Sequence, residues 1–201
     1  YSNLNVKMAL DKEYWENRYT SQEIGWNIGY PSTPIQTYID QLEDKTLKIL
    51  IPGAGNSYEA EYLWNLGFEN IFVLDFARQP LENLKYRIST FPESQLLNID
   101  FFELNDSFDL ILEQTFFCAL SPNLRKSYVD KMHQLLNPKG KLVGLLFNFE
   151  LTESGPPYGG NILVYKSLFK DQFQTMVLEN SINSIKERHG KELFFIFEKK
   201  T

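Results

Sequence analysis

Residues 48–75, KILIPGAGNSYEAEYLWNLGFENIFVLD, decide the fold of this chain. The apolar runs 49–51 and 71–74 are typical of buried parallel strands. Between them, apolar residues recur at helical spacing over 62–66, and this pattern stops at Gly67. The stretch therefore predicts a strand–turn–helix–strand unit whose crossover is right-handed.

The turn after the first of these strands has the features of a nucleotide site. Gly53 and Gly55 allow a ligand to approach the backbone where any Cβ would block it. Asp75 follows Gly53 by 22 positions, at the carboxyl end of the second strand, where a carboxylate can accept hydrogen bonds from two ribose hydroxyls. A flavodoxin-like fold with a plain tight turn is the structural alternative.

The residues that follow the glycines bear on which nucleotide would bind. A dinucleotide site requires G-x-G-x-x-G/A, and the last small position is occupied here by Tyr58, which is too large. Ser57 is predicted to cap the next helix. A nucleoside without a pyrophosphate, such as S-adenosylmethionine, fits this turn better than NAD. An NAD- or flavin-dependent oxidoreductase remains the rival class, which cofactor titration would test.

Composition and charge predict the general class of the protein. The chain has 201 residues, 43% hydrophobic and 15% aromatic, which suits a single domain over 1–201 with an N-terminal helical or lid segment over 1–45 and a core over 46–201. The net charge of −6 argues against nucleic acid and anionic membranes as partners. One cysteine, no apolar run of membrane-spanning length and no signal peptide make the cytoplasm the expected location. No metal site is predicted.

The N-terminal segment carries two tryptophans ahead of the first strand. Residues 1–10 have no firm pattern and are expected to be partly disordered, whereas a helix is predicted from Asp11. Trp15 and Trp26 either pack as ordinary core or form an aromatic lid over the ligand. In the second case their rings attract a sulfonium cation, an effect worth about 0.5–2 kcal/mol.

Further candidate residues follow the third and fourth predicted strands, 95–99 and 108–112. Asp100 either accepts a hydrogen bond from an adenine amino group, with Phe101 against the ring, or lies in water as a loop carboxylate. Glu113, Gln114 and Thr115 belong to the site by topology, because ligands of open parallel sheets sit beyond the carboxyl ends of the strands.

The segment after the fourth strand is predicted to return as a helix. Ser121 is expected to cap it, with Pro122 at its first position, and the helix should stop at 137–138. Arg125 lies in the first turn, where a cation opposes the helix dipole and requires a carboxylate, a ligand or solvent. Cys118 is interpreted as a small buried hydrophobe and not as a nucleophile.

The last third of the chain is predicted to complete the sheet. The loop 152–160, TESGPPYGG, suits a lid at the mouth of an active site, and a simple surface turn is the alternative. The remaining predicted elements are strands over 141–149, 173–178 and 192–197 and helices over 34–42, 80–88 and 164–169.

With these pieces placed, residues 14 to about 197 resemble the thiopurine S-methyltransferase family of S-adenosylmethionine-dependent enzymes, and most closely its branch of thiol and halide methyltransferases. The motifs that carry the resemblance are YWENRYTSQEIGWNIG, IPGAGNSYE, VLD, DFFEL, EQTFFCAL-P-LR--Y and GPPYGG before Tyr165. The combination of TFFCA with GPPY is specific, whereas the glycine turn alone is weak.

The resemblance implies a fold and a set of site residues. The fold is the α/β, Rossmann-like class I methyltransferase fold, with N-terminal helices and a seven-stranded, mostly parallel sheet whose last strand is antiparallel. The implied cofactor contacts are Trp15, Trp26, Gly53, Asp75, Asp100 and Phe101. The glycine turn adds Gly55 to this predicted set, and the position after the fourth strand adds Glu113. The implied acceptor side comprises Arg125, Tyr128, Pro156, Pro157 and Tyr158. Gln114 departs from the family, because the thiopurine enzymes carry an arginine there and the thiol/halide branch a tyrosine.

The expected reaction is transfer of the sulfonium methyl of S-adenosylmethionine to a soft nucleophile, which leaves S-adenosylhomocysteine. Neither His133 nor His189 follows a strand, so no general base is evident. This favours a small acceptor that is already anionic, such as a low-pKa thiol, hydrosulfide, thiocyanate or halide. Gln114, Arg125 and Tyr158 are the hypothesised acceptor-holding residues. A thiopurine or aryl-thiol S-methyltransferase and a non-catalytic S-adenosylmethionine-binding protein remain alternatives.

Overall fold

The structure, a computed structural model, describes residues 10–201. The expectation for residues 1–10 lies outside the described residues, apart from Leu10. The helices are α1 Lys12–Thr20, α2 Thr33–Asp40, α3 Tyr58–Asn65, α4 Arg78–Arg87, α5 Arg125–Leu135 and α6 Ile162–Phe169. The strands are β1 Ile49–Pro52, β2 Ile71–Leu74, β3 Leu96–Leu97, β4 Phe108–Glu113, β5 Leu136–Phe147, β6 Phe173–Asn180 and β7 Glu192–Lys199.

The seven strands form one sheet in the order β3-β2-β1-β4-β5-β7-β6. Strands β1 to β5 pair in parallel, and β7 runs antiparallel to both of its neighbours, β5 and β6. This confirms the predicted class I methyltransferase sheet with its antiparallel last strand. The strand order reverses between β1 and β4, and open α/β sheets bind their ligands at such a point, beyond the carboxyl ends of the strands.

The sheet is covered on both faces, as its continuous apolar strands require. Successive side chains of a strand point to opposite faces, so Leu50 joins one core cluster while Ile49 and Ile51 join the other. Helices α5 and α6 cover the Leu50 face, and α2, α3 and α4 cover the opposite face. The first core cluster is notably aromatic, with Phe117 and Tyr128 fully buried inside it.

Two predicted helix caps are wrong. Ser57 has a left-handed backbone, with φ of 58°, and its hydroxyl makes no capping bond. The glycine turn fixes this residue's backbone before the helix begins, so its side chain cannot reach back to the first turn. Ser121 also forms no cap, because residues 122–124 make a 3-10 turn and α5 begins only at Arg125.

Two predicted strand boundaries also differ. The third strand is shorter than the predicted 95–99, since only Leu96–Leu97 pairs with β2. Strand β5 begins at Leu136, so Asn137 and Pro138 lie inside a strand and not beyond a helix end. Asn137 Nδ2 donates to Asp109 Oδ1 at 2.8 Å, which ties this irregular start to β4.

Two findings concern the described residues as a set. Within residues 10–201, none of the helices combines the length and apolar character needed to cross a bilayer. The same residues bring together no group of three or more His, Cys, Asp or Glu side chains that could hold a metal ion.

Candidate active site

A cavity of about 320 Å³ lies at the carboxyl ends of β1, β2 and β4, where the strand order reverses. Its volume is within the range of small-molecule sites. Three parts of the chain wall it. The N-terminal segment contributes Tyr14, Trp15, Arg18, Tyr19, Gly25 and Trp26. The strand ends contribute Gly53, Asp75, Phe76, Asp100, Phe101, Thr115, Phe116 and Cys118. The late chain contributes Phe147, Pro156, Pro157 and Arg188.

The glycine turn holds the Asp75 carboxylate in a fixed position. Gly55 N donates to Asp75 Oδ2 at 2.9 Å, and Ala77 N donates to Oδ1 at 2.8 Å. Each oxygen keeps a free lone-pair direction, so the carboxylate can still accept from two ligand hydroxyls. Burial raises the pKa of Asp75 to about 6, although both backbone hydrogen bonds oppose this shift.

The turn leaves no room for a side chain at its first glycine. A Cβ on Gly53 would stand 2.6 Å from Phe116 Cγ and 2.9 Å from Phe116 Cβ, and the backbone φ of 56° disfavours other residues. Phe116 therefore packs directly on the turn and lines the cavity. Gly55 also has a positive φ, of 55°, and lies beneath the N-terminal segment.

Aromatic rings surround the part of the cavity next to Asp100. Phe101 is buried and meets Phe102 and Phe116 edge to face, with ring centroids 5.3 and 5.1 Å apart. Asp100 Oδ1 accepts from Phe102 N at 2.9 Å, which fixes the carboxylate at the start of a 3-10 turn over 101–103. Both residues line the cavity, as the adenine-side interpretation requires.

The two tryptophans of the N-terminal segment pack on each other and also face the cavity. Trp15 and Trp26 meet edge to face with centroids 5.6 Å apart, and Tyr19 meets Trp26 at 5.7 Å. The backbone oxygen of Trp26 accepts from Arg188 Nη2 at 3.1 Å, which fastens the segment to the chain just before β7. Both rings are half-buried, belong to neither core cluster and line the cavity, which favours the aromatic-lid alternative over ordinary core packing.

Glu113 lies under the site and not in its wall. The side chain is fully buried, and its oxygens accept from the backbone N–H groups of Phe116, at 3.3 Å, and Phe117. Burial raises its pKa to about 8, the largest effect on this group, while the backbone hydrogen bonds lower it. Glu113 therefore shapes the loop that presents Phe116.

The structure confirms that Cys118 is a small buried residue, with 7% of its surface exposed. Burial raises the pKa of its thiol far above the ordinary value, and the neighbouring Glu113 adds to this effect. A protonated thiol is a poor nucleophile, so Cys118 provides shape to the cavity wall.

The three residues hypothesised to hold the acceptor are not among the side chains that line the cavity. The buried guanidinium of Arg125 donates from Nη2 to Gly159 O at 2.6 Å and lies over the Phe117 ring at 4.7 Å. Tyr158 N donates to Cys118 O at 2.8 Å. Gln114 Oε1 is buried without a hydrogen-bond partner in the described part of the chain.

These contacts give the loop 152–160 its place beside the site. Arg125 holds the loop at Gly159 and the backbone of Tyr158 holds it at Cys118, while Pro156 and Pro157 between Ser154 and Tyr158 reach the cavity. The lid interpretation is therefore supported over that of a simple surface turn.

Four polar side chains in the wall, Tyr14, Arg18, Tyr19 and Arg188, were not predicted from the sequence as site residues. Arg188 lies in a polar connection whose sequence is typical of a solvated loop. In the structure its Nη1 lies 3.7 Å from Oε1 of the buried Glu192. The i,i+4 spacing of Arg188 and Glu192 was visible in the sequence, but nothing in the pattern indicated burial. Tyr19 and Arg18 follow Trp15 on a helix that the sequence located correctly.

Comparison with known proteins gives relatives over most of the chain. The family model described as thiopurine S-methyltransferase matches residues 10–200. A probable thiol methyltransferase 2 of Arabidopsis thaliana is 28% identical over 184 residues, which cover 89% of this chain and 81% of the relative. A thiocyanate methyltransferase 1 of Brassica oleracea is 27% identical, covering 92% of this chain and 84% of the relative.

A solved structure shares the fold at low sequence identity. The 1,6-didemethyltoxoflavin-N1-methyltransferase of Burkholderia thailandensis superposes with a TM-score of 0.78 and 15% identity. The match covers 94% of this chain and 87% of that protein. This similarity supports the fold alone, so the acceptor is argued from the residues that line the cavity.

Proposed function

This chain belongs to the thiopurine S-methyltransferase family and is an S-adenosylmethionine-dependent methyltransferase, and we propose that its acceptor is a small sulfur nucleophile already anionic near neutral pH. The relatives named for thiol and thiocyanate support a sulfur acceptor. The proposal that the acceptor is an anion rests on the composition of the cavity wall. The lining contributed by residues 10–201 has two arginines, Arg18 and Arg188, beside the two carboxylates assigned to the cofactor, Asp75 and Asp100, and it has no histidine and no lysine.

The residues at the strand ends fit the cofactor. Asp75 offers both carboxylate oxygens to the ribose hydroxyls, and the backbone of Gly53, which lines the cavity, is assigned to the methionine part. Asp100 and Phe101 are assigned to the adenine, as an acceptor for its amino group and an apolar surface for its ring. Trp15, Trp26, Gly55 and Glu113 shape the same space, Glu113 from beneath.

Bound S-adenosylmethionine supplies a methyl group on a positively charged sulfur. The acceptor sulfur forms a bond to this methyl carbon as the carbon–sulfonium bond breaks, so that a neutral thioether and neutral S-adenosylhomocysteine sulfur result. A thiolate loses no proton in this step, so the reaction requires no general base. Orientation of the two reactants can supply up to about 7–11 kcal/mol of the barrier reduction.

Arg188 is the cation proposed to attract the acceptor. It lies between the backbone of Trp26 and Glu192, and its side chain is largely buried. Phe147, Pro156 and Pro157 provide apolar surface nearby, which weakens solvation of the anion and favours a polarisable sulfur over a hard oxygen nucleophile.

The predicted acceptor residues Arg125 and Tyr158 are proposed to act through the loop. Arg125 fixes Gly159, and the Tyr158 backbone fixes the loop to Cys118, which positions the two prolines. Gln114, with an unpartnered Oε1 in the described part of the chain, remains the candidate for a contact that forms only with an acceptor bound.

The proposal is tested by incubating the protein with S-adenosylmethionine and five acceptors: hydrosulfide, thiocyanate, iodide, an aryl thiol and a thiopurine. S-adenosylhomocysteine and the methylated product are measured together, with heat-inactivated protein as the control. We expect product from sulfur acceptors that are anionic at the assay pH. Turnover with iodide alone, or cofactor binding without turnover on any acceptor, would contradict the proposed acceptor class.

A further inference from the structure

A phenylalanine separates the main cavity from a second, much smaller void. Phe147, the last residue of β5, lines both the cavity of about 320 Å³ and a neighbouring void of about 10 Å³. The void is about the size of one water molecule. Thr115 and Cys118 also line both spaces, but their side chains are small, so the Phe147 ring is the bulkiest part of the shared wall.

The topology of the sheet places Phe147 on the acceptor side of the cavity. Gly53, Asp75 and Asp100, which are assigned to the cofactor, follow β1, β2 and β3, whereas Phe147 ends β5 on the far side of β4. Neighbouring strands lie about 4.8 Å apart, so the end of β5 is about 10 Å from the end of β1. Arg188, the cation proposed to attract the acceptor, precedes β7, which pairs with β5.

The main cavity leaves little space for an acceptor. Its volume of about 320 Å³ is near the lower end of the range for small-molecule sites, about 300–1,000 Å³. The same cavity has to hold an adenine, a ribose and a methionine part as well as the acceptor. The wall that the acceptor meets therefore limits its size, and the bulkiest side chain in the wall shared with the void is Phe147.

Phe147 is held in place by contacts of its backbone and of its ring. Its carbonyl oxygen accepts from Tyr165 Oη at 2.6 Å, and its backbone pairs with Glu192 of β7. Its ring lies against that of Phe149, with centroids 5.0 Å apart. The backbone of Phe147 is therefore fixed, and the ring can turn aside for a bulky acceptor only by leaving Phe149.

We propose that Phe147 is a specificity-determining residue, which limits the acceptor to small sulfur anions and discriminates against aryl thiols. This inference rests on the proposed function in that a sulfur acceptor occupies the β5 side of the cavity. It adds a residue that selects among anionic sulfur acceptors by their size.

Removal of the Phe147 ring would join the main cavity to the void behind it. Beyond the shared wall, the void is lined by Leu145, Leu146 and Glu192. The Glu192 carboxylate already accepts from Ser184 Oγ at 2.6 Å and lies 3.7 Å from the Arg188 guanidinium. An apolar space of this kind inside a protein can bind benzene, so the enlarged cavity should accept the ring of an aryl thiol.

The test compares hydrosulfide with thiophenolate, two sulfur anions that differ by one phenyl ring. The ratio kcat/KM is measured for both at saturating S-adenosylmethionine, for the wild type, Phe147→Ala and the milder Phe147→Leu. Phe76→Ala is the matched control. Phe76 is also half-buried and lines the main cavity, but it follows β2 beside Asp75 and does not line the void.

We expect the wild type to prefer hydrosulfide by about tenfold or more in kcat/KM, and Phe147→Ala to shift this preference toward thiophenolate by about tenfold or more. Phe147→Leu should shift it in the same direction by less, and Phe76→Ala should leave it within about twofold. Equal kcat/KM for the two anions in the wild type would overturn the inference. An unchanged preference in a Phe147 variant that binds S-adenosylhomocysteine with wild-type affinity would also overturn it.

A binding measurement separates this inference from the proposed acceptor class. Calorimetry gives the dissociation constant of thiophenolate for the complex of the protein with S-adenosylhomocysteine, which requires no turnover. Binding that is about tenfold tighter in Phe147→Ala than in the wild type would support the size limit, and equal binding would overturn it. A wild type that binds S-adenosylhomocysteine but methylates neither anion would overturn the acceptor class alone.

Discussion

The Asp75 carboxylate combines two opposing influences at one residue. The amides of Gly55 and Ala77 stabilise its ionised form, whereas burial favours the protonated form and dominates, raising the pKa to about 6. Ribose hydroxyls donate to the ionised form. Cofactor affinity is therefore sensitive to pH in a range close to neutrality.

We predict that the affinity for S-adenosylhomocysteine falls as the pH drops below about 6, by up to about tenfold per pH unit, because a protonated Asp75 must be ionised before the ligand binds. Calorimetric titrations across this range measure the effect. Asp75→Asn should bind about tenfold or more weakly and show a flatter profile. Equal pH dependence in the variant and the wild type would assign the titration to another group.

Glu113 provides a prediction about stability. Its pKa in the folded protein, about 8, lies above the ordinary 4.5, so the folded state retains a proton that the unfolded state has lost. The contribution of this group to stability is complete below about pH 4.5 and is lost as the pH rises through about 8. The native state therefore loses stability with pH by up to about 1.4 kcal/mol per pH unit through this residue.

Glu113→Gln removes that titration and keeps an oxygen for the stronger of the two backbone contacts, that of Phe117. We expect the free energy of unfolding of the variant to be lower than that of the wild type at low pH, because Phe116 N–H loses its partner. Above about pH 8 the wild type loses the contribution of protonated Glu113, so the difference in unfolding free energy should become smaller or change sign. Urea unfolding at several pH values measures this. A constant difference would show that Glu113 does not titrate in that window.

At the scale of single elements, the glycine turn and the loop 152–160 are the two segments that position the site. The turn is specified locally, because Gly53 and Gly55 both have left-handed backbones. The loop is specified by distant contacts, from Arg125 on α5 and from Cys118 after β4. Substitutions in these two elements should therefore affect different substrates.

Gly53→Ala should impair the cofactor side. The added Cβ overlaps Phe116, and a left-handed backbone costs a non-glycine residue about 1–2 kcal/mol. We expect at least a tenfold loss of S-adenosylhomocysteine affinity with a lower melting temperature, measured by calorimetry and thermal unfolding. Gly25→Ala, at a cavity residue where a Cβ meets nothing within 4 Å, is the matched control.

Arg125→Lys should impair the acceptor side. Lysine keeps the charge but cannot reproduce the guanidinium that both donates to Gly159 O and stacks on Phe117. We expect kcat/KM for the acceptor to fall by about tenfold, while the dissociation constant of S-adenosylhomocysteine stays within about twofold. A parallel loss of cofactor affinity would indicate that Arg125 supports the whole fold and not the loop.

At the scale of the whole molecule, the fold was predictable because its periodicities are strong. The runs at β1 and β2 are continuous and apolar, β4 has the apolar run 110–112, and the glycine turn with Asp75 fixes the crossover, so the order of elements followed from the sequence. The predicted ends of helices were wrong where two local preferences of the same residue conflicted. Ser57 has a capping side chain, but the turn before it sets a left-handed backbone.

The candidate site was predictable only in part, for a physical reason. Trp15, Trp26, Gly53, Asp75, Asp100 and Phe101 lie where the chain order places them, at strand ends or in the N-terminal segment. Arg188 reaches the cavity from a connection near the chain's end, and only the tertiary structure buries it. The single-domain organisation, the cytoplasmic location and the exclusion of nucleic acid stay predictions.

The central claim is that the protein methylates a sulfur anion without a general base of its own. The most direct measurement is kcat/KM as a function of pH for several thiols of different pKa, at saturating S-adenosylmethionine. We predict that the midpoint of each profile follows the pKa of the thiol used. A midpoint that stays at one pH for every thiol would reveal a catalytic base in the protein and contradict the account.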